Sequence, residues 1–375
     1  VLLMARKTRA EQHEIVQRRL RSSGRWRDEM GYDSLWRRMN DLYRGKHWPR
    51  TTASSEDLIA VNLAFSTVNV IAPSVSVNHP KIVVSPTLPE DGDRATFVEA
   101  VINYMWRHHD FRNPFRRTVK DFLIFGHGWL KVGWNFVEQE RSLGDVERQE
   151  MGEDALFEAD LYGMENPELA GSLPSDEELL AMIPQTSMTV VEDQPFLERI
   201  SPFDMFVDPE ATCMADAKWI AQRVIRRLDD AKADKNYKPS VRKSLTADAM
   251  LYPMYESASR QEQELFLLEE ERVAVYEYYD IANNTMAVSS MTGDEFLVDP
   301  FPMPYAYGQP FVMLRNYDVP DFFYPMGDLE AIESLQTELN KTRSQMMNAR
   351  KRYARKYLYH ERSFGPEGRE ALESD

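Results

Sequence analysis

Along this chain the apolar residues recur with a period that switches between helical and extended, and the longest unbroken helical pattern lies near the end. From Asp328 to Tyr357 the sequence reads DLEAIESLQTELNKTRSQMMNARKRYARKY, with no Pro or Gly inside it. Gly327 breaks the preceding strand, and Asp328 is placed to cap the first turn by accepting from its unpaired amides. At ~1.5 Å per residue, about 30 residues make a rod on the order of 45 Å long, well beyond an ordinary globular helix. Ile332, Leu335, Leu339, Thr342, Met346, Ala349 and Tyr353 recur at alternating spacings of three and four. Such a narrow stripe packs against neighbouring helices and leaves the other side wet. Alone it buries little, but repeated around a closed ring of copies it would make a continuous wall. The plainer alternative is a solvated helix whose charges suit its dipole, with Asp328, Glu330, Glu333 and Glu338 at the start and Arg350, Lys351, Arg352, Arg355 and Lys356 at the end.

The rest of the chain predicts the scaffold that holds this rod. Residues 11–44 read as two amphipathic helices with a turn at Ser22-Ser23-Gly24, followed by a polar loop over 45–57. Leu58 to Val77 predicts a buried helix stopped near Pro73, and KIVVSP after His79 a short strand. Helices are expected over Asp93–Asp110 and after Asn113-Pro114, the second ending at Gly126-His127-Gly128 before a strand over Trp129–Val137. Those glycines follow a helix rather than precede one, so a C-cap fits them and a phosphate cradle does not. Residues 138–188 turn acidic and poor in β-branched residues, which predicts an inserted, partly mobile loop region with a short helix near Asp176–Met182. Strands follow at TVVE, FLERI and MFVD, then a charged helical region over 228–270 broken at Pro239 and Pro253. Val273–Ile281 is a strong strand, with Asn283-Asn284 as the hairpin turn into MAVSSM. Further strands are expected at Glu295–Asp299 and Phe311–Asn316.

The chain has 375 residues, 43% of them hydrophobic, which is enough for real cores. No window approaches the roughly 18 apolar residues of a membrane span, and the opening VLLMARKTRAEQ is too short in apolar residues for a secretory signal. The single Cys213 excludes an internal disulfide and a cysteine-cluster metal site. The formal net charge of −16 argues against a protein built to grip nucleic acid, which usually carries an excess of Lys and Arg. It leaves room for an acidic passage that repels phosphate and lets a duplex slide.

Catalytic and cofactor signatures are absent: there is no GxSxG, HExxH, paired CxxC, Walker or kinase motif. His108 and His109 are adjacent at a helix end, where their side chains diverge by about 100°, so they read as capping rather than as a ligand pair. Asp204 and Asp208 in SPFDMFVDP read as turn and strand-end residues. The expectation is a non-enzymatic protein without cofactor or metal. The rival readings are a hydrolase with a dispersed carboxylate site around Asp204 and Asp208, and an oligomeric coiled-coil scaffold.

Three segments in order, PFLERISPFDMFVDPEATCMADAKWIAQRVIR, VAVYEYYDI, and PFVMLRNYDVPDFFYPMGDLEAIESLQTELNKTRSQMMNARKR, resemble the portal proteins of tailed bacteriophages, the head-to-tail connectors. The closest matching positions are Asp328-Leu329-Glu330, Leu335-Gln336, Glu338-Leu339-Asn340 and Arg343-Ser344-Gln345. VNLAFSTVNVIAP, NHPKIVVSP and DFLIFGHGWLKVGW are similar to the family's wing region, and the resemblance covers roughly 30–360. It implies an α+β portal fold with a mixed helix and strand wing over 1–325, a first stem helix over 326–358 lining a channel, and the start of a clip over 359–375. The clip proper, second stem helix and crown that normally follow are missing from the sequence, which implies a truncated or partly supplied chain.

The implied function is a ring, of about a dozen copies, at one capsid vertex of the virion. Viral DNA is packaged and ejected through it without sequence specificity. The implied partners are the terminase large subunit, a head-completion or adaptor protein, and the major capsid and scaffold proteins, with synthesis in the bacterial cytoplasm and no membrane. On this resemblance the stripe Ile332, Leu335, Leu339, Thr342, Met346, Ala349 and Tyr353 meets neighbouring subunits. Gln336, Asn340, Arg343 and Met347 are the candidates for faces that see the lumen or a neighbour.

Overall fold

A computed structural model describes residues 8–48, 58–76, 81–142, 151, 153–158, 161, 162, 164, 186–248, 271–305 and 308–353. It is a mixed helix and strand structure, as an α+β reading requires. The chain divides into two compact units, one formed by Val1–Lys131 with Leu197–Asp375 and the other by Val132–Phe196.

The first unit is built on a five-stranded sheet of neighbouring antiparallel strands, in the order β3 (Met205–Val207), β4 (Trp219–Arg227), β5 (Arg272–Asp280), β6 (Thr285–Ser290) and β7 (Val298–Pro302). VAVYEYYDI lacks polar alternation because both faces of β5 are covered. Ala274, Tyr276 and Tyr278 pack with Val16 and Leu20 of helix α1 (Arg9–Glu29). Val273 and Val275 pack with Leu228, Ala231 and Val241 of the short helices α6 (Leu228–Ala233) and α7 (Pro239–Ser244). Residues 249–270, the rest of the expected helical region, lie outside the described residues. The last hairpin strand falls at Val298–Pro302 rather than Glu295–Asp299, because Phe296 and Leu297 are drawn into the cores beneath the sheet.

Beside the sheet, α2 (Tyr32–Tyr43), α3 (Leu63–Val75) and α5 (Arg112–Phe125) pack against one another and against the long helix, Asp328–Tyr353. Positions 354–357 of the expected rod lie outside the described residues. β1 (His127–Ser142) leaves α5 and pairs antiparallel with β8 (Phe311–Arg315) over residues 127–131. An aromatic cluster fills this core, with the rings of Trp36, His127 and Tyr324 all within 4.9 Å of one another by centroid.

Several sequence expectations are corrected here. α1 runs straight through Ser22-Ser23-Gly24, since Ser23 is buried with its hydroxyl donating to Val207 O at 2.8 Å. The break between α1 and α2 comes at Gly31, which is left-handed at φ 75°. α3 buries only Ala64, Val68 and Ala72, and it carries Pro73 inside its last turn without stopping there. The extended chain at Ile82 and Val84 is no strand: its backbone is held by Asn103 and Glu99 of α4 (Gly92–His108). The outward face of that helix, with Phe97 and Tyr104, is exposed.

In the second unit the outer part of β1 pairs with β2 (Thr186–Ile200), so TVVE and FLERI are one continuous strand. The Phe196 ring covers Gly133, where a Cβ would come within 2.5 Å of ring carbons, and Trp134 donates from Nε1 to Asp193 at 2.6 Å. The expected loop over 138–188 is therefore strand at both ends, with residues 153–158 helical, while the helix expected near 176–182 lies outside the described residues.

Candidate functional site

The long helix begins where two corners of the backbone touch. Gly126 ends α5 in the left-handed region at φ 85°. A Cβ there would lie 2.4 Å from Pro325 O, and one on Gly327 would lie 2.7 Å from Gly126 N. Only a pair of glycines lets the α5 to β1 corner and the entry to the long helix cross backbone to backbone. Asn316 N–H donates to Gly126 O at 2.9 Å, and Tyr317 and Met326 exchange both backbone hydrogen bonds.

Asp328 is engaged differently from the sequence expectation. Its carboxylate accepts from Asn316 Nδ2 at 2.6 Å and the Tyr317 hydroxyl at 3.1 Å, tying the helix start to the incoming strand. Glu330, at the third position of the helix, lies near the Gly327 backbone amide. Burial raises its carboxyl above the ordinary range, with that amide and the nearby Arg38 pulling the other way. One turn on, Arg38 Nε pairs with Glu333 at 2.5 Å.

The first turns press apolar residues into the scaffold: Leu329 is fully buried and Ile332 packs against the same core. Then the inner face becomes polar. Gln336, Asn340 and Ser344, at spacings of four, are 3%, 2% and 5% exposed and bind the extended backbone that leads into α3. Ile59 N–H donates to Ser344 Oγ at 2.9 Å and Val61 N–H to Asn340 Oδ1 at 2.9 Å. Leu63 and Ala64 N–H donate to Gln336 Oε1 at 3.1 and 3.3 Å, while Gln336 Nε2 donates to Val61 O at 2.6 Å. The match is geometric, since four helical residues rise ~6 Å and two extended residues span ~6.6 Å. Gln336 also completes the N-terminus of α3: it takes the first two amides, and the N-cap Asn62 takes the third from Phe65 at 2.9 Å.

This ladder corrects one expectation. Gln336 and Asn340 face residues of their own chain and not an open lumen or neighbour; Met347 is half-buried, and Arg343 alone of that set is exposed. The apolar stripe turns the other way. Leu335, Met346 and Tyr353 are 66%, 52% and 70% exposed, Thr342 and Ala349 are exposed, and Ile332 and Leu339 are half-buried. Leu335 precedes Asn340 by five residues, about 140° around a helix at ~100° per residue. Sequence reasoning missed the ladder because polar residues on a charged rod read as solvated. Its signal was the repeat of short hydrogen-bonding side chains at i, i+4 and i+8 opposite the stripe.

Replacing Gln336 with leucine is expected to cost about 2–3 kcal/mol, because Val61 O and the Ala64 amide lose a buried partner with no water to replace it. Gln336→Glu keeps the acceptor for the α3 amides but sets an oxygen against Val61 O and Asn340 Oδ1, so it should be no milder. Urea unfolding of the three chains side by side reads the difference.

Other candidate residues do not converge. Asp204 Oδ1 accepts from Arg223 Nε at 2.9 Å, and Asp208 accepts from the Glu210 and Lys218 backbone amides, closing a turn. His108 is exposed at the end of α4, against Tyr104, and His109 lies against Phe111. No helix among the described residues is long and apolar enough to cross a membrane.

The family model described as phage SU10 portal protein matches residues 13–363. No curated protein matches the chain.

Proposed function

The chain belongs to the phage SU10 portal protein family and is a structural portal protein; from that premise we propose that it is one subunit of a ring at a single capsid vertex, through which viral DNA enters and leaves. The observation that carries this reading is the two-sidedness of the long helix. Its inner face is fastened to its own chain by Gln336, Asn340 and Ser344, and its outer stripe of Leu335, Met346 and Tyr353 is left without cover among the described residues. A monomer gains nothing from a rod with an uncovered oily edge, whereas copies set side by side around a ring cover that edge for one another.

In this assignment residues 1–325 form the wing, 326–358 the first stem helix and 359–375 the start of the clip. About a dozen copies close the ring, and Ile332, Leu335, Leu339, Thr342, Met346, Ala349 and Tyr353 contribute to the contact between them. The net charge of −16 suits a bore that repels phosphate, so that duplex DNA slides without sequence preference. Packaging work falls to a separate terminase, and a head-completion or adaptor protein, the major capsid protein and scaffold protein complete the vertex. Mass measurement of the purified chain tests this. The expected result is a closed species near a dozen subunits with a central hole in negative-stain images; a stable monomer, dimer or trimer at high concentration would overturn it.

A further inference from the structure

The stripe on the long helix repeats with a heptad spacing, and that spacing fixes which charged residues flank it. With Ile332, Leu339, Met346 and Tyr353 at the first position of the repeat, and Leu335, Thr342 and Ala349 at the fourth, Glu338 falls on one flank and Arg343 on the other. Both are exposed, and among the described residues neither side chain has an ion-pair partner in its own chain. They cannot satisfy each other within one helix, because five residues carry Arg343 about 140° around the axis from Glu338. Between two parallel helices side by side in register, the same five-residue offset brings these two flanks together. That is the pairing by which flanking charges select partner and orientation in coiled helices.

We infer that in the assembled ring Glu338 of each copy pairs with Arg343 of the adjacent copy, setting the long helices parallel and in register. The inference rests on the ring reading above and adds the occupant of the uncovered stripe, a second copy of this chain held by a specific ion pair. Antiparallel neighbours would put Glu338 against Glu338 and Arg343 against Arg343, which repel. A ring in which every subunit has the same axial height permits only the parallel arrangement. The inner ladder of Gln336, Asn340 and Ser344 contributes by fixing the rotation of each helix, so that the flanks of neighbours face each other.

Charge reversal in the full chain tests this. Glu338→Arg and Arg343→Glu should each weaken ring formation about two- to fivefold per interface, and the combined swap should restore it to near the unmodified chain. Both positions are exposed, so unchanged thermal unfolding of the dissociated subunit should accompany the loss. If the combined swap is as weak as the product of the two single reversals while the unmodified chain forms rings, the pairing is wrong and the ring reading stands. If the unmodified chain forms no rings, both fall. A second measurement does not depend on stability. In rings of Arg343→Lys assembled from isotopically light and heavy copies, a zero-length carbodiimide should join Glu338 to position 343 across copies. Rings that give no such mixed-isotope link would overturn the inference.

Discussion

Replacing Gly126 with alanine is expected to remove the folded state at ordinary temperature. The residue sits at φ 85°, where a Cβ costs about 1–2 kcal/mol by itself. The added methyl would also stand 2.4 Å from Pro325 O and 2.8 Å from Gly327 N and Met326 C, all backbone atoms that no rotamer change can move aside. Parting the two corners would pull on the Tyr317 and Met326 pair and on Asp328, and so on the start of the long helix. Overpacking of this kind adds about 1–3 kcal/mol or more, so the sum, about 2–5 kcal/mol or more, reaches the low end of a domain's stability, ~5–15 kcal/mol. Gly327→Ala separates the two terms, since its clash with Gly126 N at 2.7 Å is steric alone, and it should lose less. Gly24→Ala is the opposite control. It lies inside α1, where a Cβ would meet only Phe206 at an ordinary 3.9 Å, and should gain about 0.5–1 kcal/mol. Denaturant midpoints of the soluble variants, and recovery in the soluble fraction for Gly126→Ala, read the series. A soluble Gly126→Ala with an unshifted midpoint would contradict the backbone crossing.

The elements legible in the sequence were those whose pattern is set by local rules. The long helix, β5 and the glycine-ended α5 each carry their own signal: an unbroken run, a β-branched and aromatic run, and a left-handed stop. What was illegible depended on partners distant in the chain. Ser22-Ser23-Gly24 is turn chemistry by composition, yet α1 passes through because the Ser23 hydroxyl finds Val207 O. KIVVSP has the residues of a strand but is satisfied by the side chains of Asn103 and Glu99. The same blindness hid what the inner face of the long helix binds. The apolar stripe was visible, but nothing local told that Gln336 and Asn340 point at residues 59–64, over two hundred positions earlier. By sequence the stripe suits contact with other copies, and the polar residues suit a face toward the lumen or a neighbour. With the ladder in view, only the second assignment changes: Gln336 and Asn340 bind their own chain through hydrogen bonds, while the oily edge remains the side proposed to meet other copies.

Acidification should unfold the subunit partly through one residue, His127. Burial drives its pKa down from 6.5 to about 3; a hydrogen bond to Phe125 O opposes the shift, and Arg27 and Arg315 add to it. The ring lies against Trp36 and Tyr324, with Nδ1 3.2 Å from Phe125 O and Nε2 without a partner among the described residues, so the neutral form with the proton on Nδ1 fits and the cation does not. The unfolded chain binds a proton near 6.5 and the folded chain only near 3. The stability His127 contributes is therefore complete above pH 6.5 and falls as pH drops toward 3, by ~1.4 kcal/mol per unit, on the order of 5 kcal/mol in all. His13 and His47, also lowered by burial, act in the same direction. Asp121, Asp204 and Glu330, raised by burial, act oppositely as they take up protons. Comparing the unmodified chain with His127→Phe cancels those common groups. The phenylalanine variant should lose about 1 kcal/mol at neutral pH for the missing hydrogen bond, then become the more stable of the two as pH falls below about 5.5, where protonating the unfolded histidine has cost the unmodified chain more than that. Urea midpoints measured from pH 7.5 down to 4 give the crossing directly. Parallel curves across that range would mean that His127 is solvated in the folded chain, and the packed aromatic cluster behind the long helix would have to be redrawn.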